Sequence, residues 1–331
     1  MTMSTKPSGL VSSTGTRLQV ISSTGLRVEA TTSAIDGILD IFYADYDLSF
    51  ILANEKETYK GFSECLMLNH GDAYRRLAHL FGPFREFVAV VYDGKTRIAG
   101  LNFIIFPLSS SRSTVYSANL NYIFVNPAVR RRGYFSRLMG DLAGVSIRLF
   151  AHTNPNDLPC SRTENANSLA AAPPVYIYLE QNDPLRLAAA ESDRDTKLTG
   201  LDQFDRITIW ARLGAKIIDF PYVQPPLSRE QGPDDTLVYA VLGTEGRALQ
   251  PGLLRGHLER FFGISVLKGK GVMQEAVARV QLEELERMQH VGLAVHLFDV
   301  PPDLKELAGT LTADLLEPKS VKDVLRRSAK N

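Results

Sequence analysis

Arg130, Arg131 and Arg132 stand in a row before Gly133, in a chain whose 37 basic and 37 acidic residues cancel. Guanidiniums gathered at one turn suit one task above all: binding anions, whose oxygens match the planar fork of N–H donors. A helix start strengthens such a site, because its first N–H groups lack intrahelical partners and the helix dipole adds partial positive charge. Glycine there allows close backbone approach or a positive φ. An arbitrary RRRG more often marks surface arginines paired with carboxylates. Here VNPAVRRRGYF (Val125–Phe135) falls between a strand and a helix, and that placement favours a pyrophosphate cradle.

Other chemistries lack their residues. The histidines at 70, 79, 152, 257, 290 and 296 have no metal-ligand spacing, and no nucleophilic triad signature appears, so neither a metal site nor covalent catalysis is expected. Cys65 and Cys160 make neither a disulfide framework nor a metal site. Gly94-Lys95-Thr96 is not a P-loop: the position five before its Gly-Lys is Ala89, and a strand follows where a helix is required.

The elements that must position the arginines follow from periodicity. The strand before them runs from Thr114 to Val125, with Tyr116, Ala118, Leu120, Tyr122 and Phe124 on one face and Ser117, Asn119 and Asn121 on the other. Asn126-Pro127 ends it. From Tyr134 onward Phe135, Leu138, Leu142, Val145 and Leu149 form one helical stripe. Upstream, FVAVVY (Phe87–Tyr92) and RIAGLNFIIF (Arg97–Phe106) flank Asp93-Gly94, a strong hairpin signal. A serine-rich turn (Ser109–Ser111) follows the second of them. Residues 34–82 read as mainly helical, with Ile35, Ile38, Leu39 and Phe42 at helical spacing and a second helical stretch from Glu55 to Leu80.

Downstream, His152 to Pro174 is polar and long enough to be a surface excursion. VYIYLEQN (Val175–Asn182) is a strand that sets Val175, Ile177 and Leu179 against Tyr176, Tyr178, Glu180 and Asn182. A helix over Asp202–Leu213 closes at Gly214. KIIDFPYV and TLVYAVLG form a further pair of strands. Beyond Thr244 the pattern is mostly helical, with VGLAVHLF (Val291–Phe298) as one strand-like run.

A length of 331 residues, 44% of them hydrophobic, supports a substantial core in one large or two smaller domains. Balanced charge gives no global attraction to nucleic acid or an anionic membrane, and no apolar run approaches the roughly 20 residues that span a bilayer. Two cysteines fit a reducing cytoplasm. Residues 1–33, rich in Ser and Thr, read as a disordered tail entering the first strands rather than a transit peptide. SSTG occurs at Ser12–Gly15 and Ser22–Gly25, before RLQVI and LRVEA, as in the turn-and-strand units of a small hairpin.

The chain resembles the GNAT superfamily of acyl-CoA-dependent N-acyltransferases. Their coenzyme signature is Arg or Gln, two residues, Gly, one residue, then Gly or Ala, after a strand that commonly ends Val-x-Pro. Val125-Asn126-Pro127 followed by Arg130-Arg131-Arg132-Gly133-Tyr134-Phe135, with Leu138 at the apolar helix position, matches it in part. WARLGAKIIDF (Trp210–Phe220) is similar to the segment with an aromatic residue four before a glycine that opens the next strand. Two positions depart from the pattern. Phe135 stands where the family has Gly or Ala, and its ring is expected to turn into the core. Trp210 stands where many members carry the tyrosine that protonates the departing thiolate.

The resemblance covers roughly residues 26–243 and implies an α/β (α+β) fold: a mixed, mostly antiparallel sheet flanked by helices. Residues 1–25 would form a flexible or hairpin segment and 244–331 a mainly helical extension. In this family the signature strand and the next one splay apart around the pantetheine arm. By analogy the backbone of Ile123 and Val125 would bond pantetheine amides. The N–H groups from Arg131 to Ser136, through Arg132, Gly133, Tyr134 and Phe135, would hold the pyrophosphate with the arginine side chains, Arg130 included. The implied reaction is direct acyl transfer from acetyl-CoA, or another acyl-CoA, to a small-molecule or peptide amine. That coenzyme is a cosubstrate rather than a permanently bound cofactor. A frequent position for the family's base is Asn121 here, which cannot act as one, and Glu180 is the best replacement. Tyr222 is either an acid or a packed aromatic. Asn121 and Trp210 also keep open an acyl-CoA-binding regulatory module without turnover.

Overall fold

A computed structural model describes residues 11–14, 16–50, 52, 56–109, 114–155, 174–228, 230–312 and 319–329. Within it the chain divides into two compact units, Met1–Ser49 with Glu57–Val175 and Phe50–Lys56 with Tyr176–Asn331. The molecule is mixed α/β, and among the described residues every strand pairing within either unit is antiparallel.

In the first unit β1 (Ser12–Thr14), β2 (Arg17–Ile21), β3 (Arg27–Thr31), β4 (Arg85–Asp93), β5 (Thr96–Ser109) and β6 (Thr114–Val125) pair in sequence order as a meander. The two SSTG copies play different parts. Ser22–Gly25 is the turn between β2 and β3, with Gly25 at φ 82°, whereas Ser12–Thr14 is strand β1. Gly94 and Lys95 are the two-residue loop of the β4–β5 hairpin, with Gly94 at φ 58° as a type II′ turn requires.

The helices of this unit correct three boundaries. Helix α1 covers Ile38–Ser49, and Ile35 lies outside it, 91% exposed. The stretch expected to be continuous from Glu55 to Leu80 is two helices, α2 (Tyr59–Met67) and α3 (Gly71–Phe81). They part at Asn69, whose carboxamide leaves the helical path to bond the carbonyls of Thr32, Leu66 and Glu86. The helix expected from Tyr134 is likewise two, α4 (Tyr134–Met139) and α5 (Leu142–Thr153). At their joint the Asp141 carboxylate accepts from the Ser23 N–H at 2.6 Å and from Arg148 at 2.8 Å, which fixes the second SSTG turn against it. Leu138, Leu142, Val145 and Leu149 are buried as the stripe demands, while Phe135 is only half-buried.

In the second unit β7 (Val175–Asn182), β9 (Leu237–Leu242), β8 (Lys216–Ile218), β11 (Val295–Phe298) and β10 (Ala248–Leu249) are neighbours in that order. Its helices are α6 (Ala189–Thr199), α7 (Gln203–Arg212), α8 (Pro251–Phe261), α9 (Ala276–His290), α10 (Leu304–Thr312) and α11 (Val321–Ser328). Gly214, at φ 91°, closes α7 as its sequence predicts. Residues beyond 244 are built into this unit. Strands β10 and β11 join its sheet, and Val321, Val324 and Leu325 of α11 share a core with Ile207, Ile217 and Val238.

The readings that touch residues 1–10, Ser110–Ser111, Cys160 and most of the His152–Pro174 excursion lie outside the described residues. Cys65 is buried. No helix among the described residues is long and apolar enough to cross a membrane.

Candidate functional site

The arginine turn is built by three backbone devices in succession. Pro127–Val129 forms one 3₁₀ turn after β6. Arg131 then takes φ 63°, one of two positive values among described non-glycine residues, and Gly133 takes φ 76°. A Cβ at Gly133 would meet nothing within 4 Å, so the conformation, not crowding, calls for glycine there. Left-handed backbone at an arginine costs about 1 kcal/mol or more, and such strain persists where the surrounding structure holds it.

The three arginines separate by role. Arg130 folds back and its Nε donates to the Val125 carbonyl at 3.1 Å, closing the strand end. That carbonyl was a candidate for a pantetheine amide, and Arg130 occupies it. Arg131 and Arg132 are exposed, and among the described residues they take no side-chain partner. Beside the turn, Arg137 pairs with Asp93 at 3.0 Å and donates to the Thr24 carbonyl, so the hairpin loop and the SSTG turn brace α4. Its guanidinium lies 5.6 Å from the Tyr134 ring centroid, and the Arg137 bond is the main influence holding the Asp93 carboxyl below its usual range. Tyr134 and Phe135 are half-buried and Ser136 exposed.

Further back on β6 the register against β5 shifts. Asn102 pairs with Tyr122 and Phe103 with Leu120, which leaves Asn121 as a bulge with no partner residue on β5; Ile123, two residues on, pairs normally with Leu101. The Asn121 carboxamide is enclosed by a polar row that spans three strands. Its Nδ2 donates to Glu86 Oε1 at 2.9 Å and to Asn102 Oδ1 at 3.1 Å, and its Oδ1 accepts from Asn119 at 2.9 Å. Asn102 Nδ2 also donates to Glu86 Oε1, at 2.7 Å. Glu86 is 1% exposed, and Asn69 bonds both its backbone N–H and its carbonyl. So a carboxylate does stand at this row, on β4, although position 121 carries an amide. Sequence reasoning missed Glu86; its only local signal is an acidic residue directly before the apolar run Phe87–Val91.

Glu180 belongs to the second unit. It is half-buried on β7 and accepts from the Tyr222 hydroxyl at Oε1 and from Gln224 Nε2 at 3.3 Å on Oε2. Burial pushes its carboxyl up to about 7, aided by the Asp234 charge and opposed by the Tyr222 hydrogen bond. A carboxylate so placed changes protonation near neutrality, as a general base must. Of its two alternatives, Tyr222 takes the packed one. It is 2% exposed, stacks on Tyr239 at 4.2 Å between ring centroids with 6° between planes, and still spends its hydroxyl on Glu180. Burial and the adjacent Glu180 charge raise its own hydroxyl well above the usual range, so Tyr222 holds the carboxylate rather than acting as an acid.

Of Tyr176, Tyr178, Glu180 and Asn182, which share one face of β7, two are buried. Tyr178 is fully buried, with its ring 3.7 Å from that of His257 on α8, and Asn182 is 7% exposed. Helix α8 covers this side of β7. Trp210 is 9% exposed on α7. Among the described residues no group of three or more His, Cys, Asp or Glu is arranged to hold a metal ion.

No family model matches the chain, and no curated protein matches its sequence.

Proposed function

We propose that this protein is an acyl-CoA-dependent N-acyltransferase of GNAT type, acting in the cytoplasm on a small-molecule or peptide amine with acetyl-CoA or another acyl-CoA as cosubstrate. The observation that carries the proposal is the turn after β6. Arg131 and Gly133 both have positive φ, and two exposed arginines there lack side-chain partners among the described residues. A strained turn with unspent guanidiniums at a strand-to-helix junction suits a pyrophosphate. The mostly antiparallel pairing of the strands is in keeping with the mixed sheet that the resemblance implies.

In the reaction the amine nitrogen attacks the thioester carbonyl, the C–N bond forms and the C–S bond breaks. Glu180 takes one proton of the ammonium so that the free amine attacks, and the nitrogen's second proton passes through water to the departing thiolate, since neither Trp210 nor Tyr222 is suited to protonate it. The choice of Glu180 as base is supported by its burial, which raises its carboxyl to about 7.

A second reading, an acyl-CoA-binding module without turnover, is favoured by one observation. Asn121 is committed to Glu86, Asn102 and Asn119, which leaves the family's base position inert. Titration calorimetry with acetyl-CoA and longer acyl-CoAs, followed by a thiol-release screen against amines, separates the two. Binding with thiol release supports the transferase, and binding without release from any amine supports the module. Absence of CoA binding sinks both.

A further inference from the structure

Residues beyond 244 carry no motif, yet two of their side chains hold the immediate neighbours of the tyrosine that bonds Glu180: His257 meets Tyr239, and Gln281 meets the Val223 backbone. We infer that the C-terminal segment is part of the catalytic apparatus: His257 of α8 and Gln281 of α9 are positioning residues that fix Glu180 through Tyr222. The inference rests on the assignment of Glu180 as base and deepens it.

Two routes carry the positioning. In the first, Tyr239 Oη and His257 Nε2 lie 2.7 Å apart, and the His257 ring is clamped face to face on Tyr178 with 19° between planes. The Tyr239 ring thus anchored is the surface on which Tyr222 stacks in near-parallel contact. Aromatic stacking fixes the plane of Tyr222 and therefore the direction of its hydroxyl toward Glu180. In the second route, Gln281, 4% exposed, brackets the neighbouring backbone. Its Oε1 accepts from the Val223 N–H at 3.0 Å, and its Nε2 donates to the Val223 carbonyl at 2.8 Å. One amide side chain satisfying both groups of a single peptide residue pins the chain next to Tyr222 without involving Glu180 at all.

Few charged groups face the pair. Glu180 meets the Tyr222 hydroxyl, the Gln224 amide and, across the Gln224–Asp234 bridge, the Asp234 carboxylate. His257 is fully buried and neutral, its ring pushed well below the usual range by burial and by the Arg260 guanidinium. A neutral imidazole tethers Tyr239 without adding charge. What the C-terminal segment supplies to Glu180 is therefore geometry.

A hydrogen bond to the ionised form of an acid favours that form. If the anchors hold Tyr222 on Glu180, releasing either one weakens that bond and moves the Glu180 midpoint upward. The midpoint is read from the carboxyl stretch in infrared difference spectra of the full chain, identified by its loss in Glu180→Gln. Tyr222→Phe sets the scale, with an upward shift of about one pH unit. Tyr239→Phe keeps the ring and the stack while removing the tether, and Gln281→Ala removes the bracket. Each is expected to move the midpoint in the same direction by a smaller amount, with cooperative unfolding retained. His257→Gln, which keeps a hydrogen-bonding atom, is expected to shift it less than His257→Leu.

The inference is overturned if Tyr222→Phe leaves the midpoint unmoved. It is overturned equally if Tyr222→Phe shifts it while both Tyr239→Phe and Gln281→Ala match the parent protein. Thiol release, measured separately on the parent protein, tests the transferase proposal. Its absence would sink that proposal and leave the titration of Glu180 standing as a result of its own.

Discussion

Asn121 Nδ2 and Glu86 Oε1 are 2.9 Å apart, so the amide at position 121 is itself held by a buried carboxylate two strands away. The contact explains why position 121 is not interchangeable with an acid here. Asn121→Glu would set a second carboxylate against Glu86, and two such groups cannot both ionise at close range without a large penalty. The variant is expected to lose about 2 kcal/mol or more at pH 8. As pH falls and the pair takes up a shared proton, the loss should shrink. Urea unfolding at pH 8 and pH 5 checks it, and an equal loss at both would remove the charge argument.

Removing the acceptor instead of adding one tests the same row. Glu86→Ala leaves the amides of Asn102 and Asn121 without their shared partner and is expected to destabilise by about 1–3 kcal/mol. Glu86→Gln keeps an acceptor oxygen and should recover much of that. Denaturant midpoints measured together at pH 7 decide it; equal losses would mean that the carboxyl oxygens matter little.

The arginine turn was legible because its signals are local. The period changes from two to three and a half or so between Phe124 and Leu138, and Pro127 and Gly133 mark the junction. The polar row was not legible, since Glu86 meets Asn102 across 16 positions and Asn121 across 35, and nothing in either stretch announces that register. The bulge that re-aims Asn121 is set by pairing with β5, so simple alternation misplaces it. Glu180 was found from its strand. Its partner Tyr222 lies 42 positions on, and the anchor of Tyr239 comes from a helix without any motif. Local period locates elements, while the side chains that tune a site meet through tertiary packing.

Arg131 offers a test in which stability and binding move in opposite directions. Its φ of 63° is unfavourable for any residue with a Cβ. Arg131→Gly is expected to stabilise the fold by about 0.5–1 kcal/mol and to weaken CoA severalfold by removing a guanidinium. Charge reversal at Arg131 and Arg132 together should weaken CoA far more than it weakens fragments lacking the pyrophosphate. Calorimetry on both ligands checks the binding, and urea midpoints check the stability. Equal losses for the two ligands would make the arginines structural.

The carboxyls of the second unit set the pH dependence of stability. Glu180 is raised from 4.5 to about 7 and Asp183 from 3.8 to about 6, both chiefly by burial. A raised folded value means that the native state holds its proton more tightly than the unfolded chain does. The resulting stabilisation is fully present below about pH 4 and is lost as pH rises through 6 and then 7. Between pH 4.5 and 7 these two groups should therefore make stability fall with rising pH. Glu180→Gln, which has no proton to lose, should flatten the upper part of that slope while leaving the Asp183 part. Under the proposed function, the same titration is expected to make thiol release rise with pH through about 7 in the parent protein. Urea midpoints at half-unit steps from pH 4.5 to 8 give the slope. A variant as steep as the parent above pH 6 would show that Glu180 ionises at its ordinary value, and would remove it as a base tuned to neutral pH.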